Sequence, residues 1–152
     1  MTKEDKNYVH IVFDLQPDAH GWPPVGSERM WAMKTGEGEY RLESVPFYVR
    51  GVSYGDIVSA SEKEEHGILF FDKVLKDSGH FTIRLLIQDE NDNTDNVLKS
   101  FLRQNGADIE NVRKGFFAVD IPPSSDIEKI REYLKEGEEK GDWAYEEGKV
   151  PT

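Results

Sequence analysis

The spacing of apolar residues changes once along this chain, and that change limits the folds open to it. Up to about residue 88 apolar positions recur every second residue in short runs broken by glycine and proline; beyond it they recur at helical spacing. In residues 8–15, Val9, Ile11, Phe13 and Leu15 share one face and Tyr8, His10, Val12 and Asp14 the other, which predicts a half-buried strand. Residues 16–26 contain Pro17, Pro23 and Pro24 with Gly21 and Gly26, so this stretch is a loop. Residues 28–34 and 39–43 flank Thr35-Gly36-Glu37-Gly38 and read as a hairpin. A strand resumes over 56–60, and residues 67–75 and 80–88 around Lys76-Asp77-Ser78-Gly79 read as a second hairpin.

Past Gln88 the period lengthens. Val97, Leu98, Phe101 and Leu102 predict a helix from Asp95 that stops at Gly106, with Thr94 as its N-cap. Residues 115–121 are a strand ended by Pro122-Pro123. Ser125 and Glu128 have capping-box spacing ahead of a helix carrying Ile127, Ile130 and Leu134, which reaches Glu136 and closes at Gly137. The last residues are acidic but keep Trp143 and Tyr145, aromatic area that predicts docking rather than floating.

The expected fold is therefore α+β. A mostly antiparallel curved sheet or partial barrel of about six strands over 8–88 precedes a ferredoxin-like strand-helix-strand-helix half over 89–136 and an acidic docking tail over 137–152, all in one compact domain over 1–152. A chain of 152 residues buries roughly 68–70% of its unfolded surface on folding. It contains no cysteine, so disulfides, thiolate nucleophiles and thiolate metal sites are excluded. Thirty acidic against 19 basic residues give a net charge of −11, which repels phosphate backbones and anionic lipid and serves either to keep a small protein soluble or to steer it towards a basic partner. The charged start of the chain and the lack of a long apolar run predict a cytoplasmic protein outside the membrane.

Sites of known chemistry are not written in the sequence. His10, His20, His66 and His80 lack the spacing that places two imidazoles on one metal. The run from Asp89 to Asp95 alternates oxygen side chains like the start of a calcium loop, but Thr94 and Ser100 stand where an EF-hand needs glycine and a bidentate glutamate. No metal or cofactor is expected, nor is a catalytic residue assigned. Two loops nevertheless concentrate aromatics, an arginine and carboxylates: Trp22, Glu28, Trp31, Phe47, Arg50 and Asp56 are the candidate binding residues.

The same loops carry a resemblance. His10-Ile11-Val12-Phe13, Trp22-Pro23-Pro24-Val25 with Glu28 and Trp31, Val45-Pro46-Phe47, the stretch Arg50-Gly51-Val52-Ser53-Tyr54-Gly55-Asp56 and the closing Gly141-Asp142-Trp143-Ala144-Tyr145 resemble the bacterial family catalogued as domain of unknown function 4265. The resemblance implies a stand-alone bacterial cytoplasmic domain and no particular activity. The expected function is a non-enzymatic acidic protein-binding module, an inhibitor or immunity-type protein neutralising a toxin or other basic partner. The alternative is a small enzyme or small-anion-binding protein with a pocket around Arg50, Glu28 and Asp56.

Overall fold

A computed structural model describes residues 7–63, 67–87 and 92–149, with only the backbone described for 92–94. The chain is α+β and divides into two compact units, Met1–Ser78 and Gly79–Thr152. Among the described residues no helix is long and apolar enough to cross a membrane.

In the first unit, strands β1 (Tyr8–Asp14), β2 (Ser27–Gly36), β3 (Glu39–Leu42), β4 (Ile57–Glu62) and β5 (Leu69–Lys76) follow one another around a closed barrel. Each neighbouring pair is antiparallel except β1 with β5, which close the barrel in parallel. Alternation does what the sequence predicts: Ile11, Phe13, Met30, Ala32, Leu42, Val58 and Ala60 fill the interior, joined by Val49 and Val52 from the long β3–β4 loop.

In the second unit, β6 (Phe81–Leu86), α1 (Asp92–Gln104), β7 (Asp108–Arg113), β8 (Phe116–Ile121), α2 (Ile127–Glu139) and β9 (Ala144–Lys149) form an antiparallel sheet in the order β7-β8-β6-β9. This is the ferredoxin-like βαββαβ pattern. Ile83 and Leu85 of β6 and Phe117, Val119 and Ile121 of β8 pack with Leu98, Leu102, Ile130 and Leu134 of the helices.

Several expectations are corrected. Residues 76–79 do not turn a hairpin: β5 pairs with β4 and β1, whereas β6 pairs with β8 and β9, so the segment links the two units. The barrel accordingly has five strands, and the sixth expected there, β6, starts the second sheet. Strand β7 was not expected, and the tail contributes strand β9 on the edge of that sheet. Helix α1 starts at Asp92, which puts Thr94 inside it rather than at its cap. It does stop at Gly106, whose φ of 89° suits glycine while Ala107 N–H reaches back to the Leu102 carbonyl at 3.0 Å. The cap of α2 is Asp126, not Ser125, because its carboxylate accepts from Lys129 N–H at 3.2 Å. That helix also continues through Gly137 to Glu139.

Candidate binding cleft

The loop between β1 and β2 is held by one carboxylate. Asp18 Oδ1 accepts from the backbone N–H of His20 at 2.8 Å and of Trp22 at 3.1 Å, while Asp18 N–H donates to the Trp22 carbonyl at 2.7 Å. Leu15 N–H closes the base of the loop on the Gly26 carbonyl at 2.9 Å. These bonds present Trp22 edge-on to Tyr48, with ring centres 5.7 Å apart.

The facing loop hangs from Glu28. Strand alternation turns Glu28 inward with Met30 and Ala32, and its carboxylate accepts from three successive backbone N–H groups, Phe47 at 2.7 Å, Tyr48 at 2.9 Å and Val49 at 3.0 Å. Asp56, fully buried, accepts from Ser53 N–H at 2.9 Å and from Ser78 N–H at 2.8 Å. Both carboxylates thus act as fasteners for backbone that would otherwise be buried without acceptors.

Between the loops and the end of β1 lies a cleft of about 320 Å³, lined among others by Phe13, Asp14, Asp18, Trp22, Tyr48 and Arg50. Of the six candidate residues, Trp22 and Arg50 meet there, while Glu28, Trp31, Phe47 and Asp56 do not line it. Trp31 points outward from β2 and packs on His10, the ring centroids 3.8 Å apart and the planes tilted by 41°. Phe47 is half-buried and contributes its N–H to Glu28. Asp14, Asp18 and Tyr48 were not singled out from the sequence. Asp14 was readable as the polar-face end of a strand and Asp18 as the start of a turn ending in glycine, but their convergence comes from the loop closure.

In the second unit a part-buried histidine meets a buried carboxylate. His80 Nδ1 lies 2.9 and 3.0 Å from the two oxygens of Asp120, so His80 is engaged by a carboxylate. His66 and residues 88–91 of the acidic loop lie outside the described residues. Among the described residues no three His, Asp or Glu side chains gather as a metal would require.

Burial pushes the Asp120 carboxyl above its ordinary value of 3.8, more than the hydrogen bond and charge of His80 pull it down, and the nearby Asp108 and Glu110 push the same way. Because the folded chain holds this proton more tightly than the unfolded one, the contribution of Asp120 to stability rises as pH falls through its folded midpoint and levels off below 3.8. A carboxyl carbon NMR titration is expected to place that midpoint above 3.8, and His80→Ala to raise it further. A midpoint at or below the ordinary value would refute the assignment.

The family model described as a domain of unknown function, DUF4265, matches residues 28–145. A solved structure, described as a novel crystal structure of a hypothetical protein from Neisseria gonorrhoeae, is similar over 97% of each chain with a TM-score of 0.79 and 20% sequence identity, a likeness of fold. No curated protein matches.

Proposed function

The chain belongs to the DUF4265 family, and since that membership fixes no activity, we propose from the cleft that it is a non-enzymatic, acidic protein-binding module of the inhibitor or immunity type that engages a basic partner. The observation that carries this reading is the pairing of a half-exposed, rigidly presented Trp22 with Asp14 and Asp18 in one cleft. An aromatic ring beside carboxylates suits a lysine or arginine side chain, through cation–π and charge-assisted contacts together. The net charge of −11 adds long-range attraction for the same partner.

The rival small-anion pocket is disfavoured by the same geometry. Glu28 and Asp56 are occupied by backbone N–H groups, and the carboxylates that do stand near Arg50 would repel an anion.

The test is kinetic binding to a partner recovered on the immobilised chain from its native host. Raising salt from about 50 to about 500 mM shortens the Debye length from roughly 14 to roughly 4 Å, so the on-rate should fall about tenfold. Trp22→Ala should instead speed release, at a cost of about 2 kcal/mol. Recovery of no protein, with inorganic phosphate binding that Arg50→Ala abolishes, would replace this reading with the anion pocket.

A further inference from the structure

We propose that a second cleft, on the outer face of the barrel beside its parallel seam, binds a small organic monocarboxylate, with Arg29 holding the carboxylate and aliphatic side chains its apolar body. Strand alternation builds the site. On β1, His10 and Val12 alternate with the core residues Ile11 and Phe13, and on β2, Arg29 and Trp31 alternate with Glu28, Met30 and Ala32. The register sets His10 opposite Trp31 and Val12 opposite Arg29, so His10 and Arg29 are diagonal neighbours. That relation separates them by roughly 7–8 Å at the backbone, close enough for one small ligand to touch both side chains. The seam opens beside them. β1 and β5 pair only at Ile11 with Leu69 and Val12 with Phe70, and ahead of those pairs Val9 and His10, with Gly67 and Ile68, line a cleft of about 310 Å³.

The lining decides what fits. Val9, Val12, Ile68 and Leu69 give the cleft apolar surface, and Val12 is only 9% exposed although it lies on the outer face, which makes it the floor of a depression. Among the described residues the lining holds one charged side chain, Arg29, and no carboxylate. In a chain of 30 acidic and 19 basic residues that is a local reversal of sign. Arg29 is exposed and makes no hydrogen bond or ion pair among the described residues; Asp14, its other diagonal neighbour, lines the Trp22 cleft instead. The His10 ring packs on Trp31 and likewise makes no hydrogen bond among the described residues. An imidazole keeps an N–H donor in either protonation state.

A planar carboxylate matches the guanidinium fork with two parallel hydrogen bonds and can accept a third from His10. A phosphate dianion would leave one charge unmatched by a single guanidinium, with aliphatic surface around its remaining oxygens. At about 0.15 M salt the Debye length is roughly 8 Å, so these adjacent groups outweigh the distributed negative charge of the chain. The volume stands at the lower end of the roughly 300–1,000 Å³ of small-molecule sites, which suits a short branched acid better than a peptide segment.

The probe is isocaproate, compared with its neutral amide and with inorganic phosphate, each titrated into the full isotope-labelled chain and followed by NMR. The acid is expected to shift the Arg29 Nε–H and the methyl signals of Val12, Ile68 and Leu69 along one saturable curve in the millimolar range. The amide should bind about tenfold more weakly or worse, since it offers the fork one acceptor and no charge. Arg29→Ala should weaken the acid about tenfold and Arg29→Lys by less, because lysine keeps the charge and loses the fork. His10→Ala should cost about threefold, the share of one neutral hydrogen bond. Circular dichroism checks that each surface variant folds. Equal binding of acid and amide, phosphate binding as tightly as the acid, unchanged affinity in Arg29→Ala, or no saturation at about 50 mM acid would overturn the site.

Discussion

Glu28→Ala is expected to destabilise the protein by about 3 to 5 kcal/mol, an effect on the scale of losing a buried charged hydrogen-bond hub. One carboxylate, 8% exposed, serves three consecutive N–H groups at Phe47, Tyr48 and Val49. Without it those donors are left without their acceptor in a loop whose Val49 and Val52 are part of the barrel core. Glu28→Gln should cost about 2 kcal/mol, since its carbonyl oxygen can keep the Tyr48 and Val49 bonds while its NH₂ group meets another donor at Phe47. Urea denaturation gives the loss as a lower midpoint, and hydrogen exchange at residues 47–49 localises it. A loss below about 1 kcal/mol for the alanine variant would show that the loop stands without its fastener. The experiment also separates roles: a proton-transfer group replaced by its amide would leave stability intact, whereas a fastener would not.

Gly137→Ala is expected to be comparably damaging, although alanine is the better helix former by about 1 kcal/mol. Gly137 is buried inside α2, and a Cβ there would run into the six-membered ring of Trp143. The indole cannot easily retreat. It is 7% exposed, its Nε1–H donates to the Leu134 carbonyl at 2.9 Å, and Tyr133 stacks beside it at 5.7 Å while Phe101 stacks on Tyr133 at 3.7 Å. A clash between backbone-fixed Cβ and a locked ring belongs to the overpacking class, so the loss should be about 3 kcal/mol or more. The diagnostic is the sign in a second background. Trp143→Ala alone should cost about 3 to 5 kcal/mol, and adding Gly137→Ala to it should then stabilise by about 1 kcal/mol, because the obstacle is gone and helix propensity remains. If Gly137→Ala costs the same in both backgrounds, Trp143 is not the reason for the glycine.

These two residues also show what a sequence can and cannot carry. The alternation of Val9, Ile11, Phe13 and Leu15, the helical spacing of Leu98 and Leu102, and the left-handed stop at Gly106 are local facts, and local periodicity reports directly on which face is buried. They were enough for the α+β class, the curved first sheet and both helices. Edge strands β7 and β9 escaped because each is specified by a single neighbour, β8 or β6, and carries little alternation of its own. Lys76-Asp77-Ser78-Gly79 has residues that suit a hairpin turn and a linker equally, and only the choice of strand partners separates the two. In the same way the sequence picked out Trp22, Glu28, Arg50 and Asp56 as unusual but could not sort them. An inward-facing glutamate among Met30 and Ala32 was the one local hint that Glu28 is a buried acceptor. Whether a carboxylate meets solvent, an arginine or a row of backbone N–H groups depends on loops that return from 20 or so residues away, and contacts at that separation are decided by packing of the whole barrel rather than by any neighbouring residue.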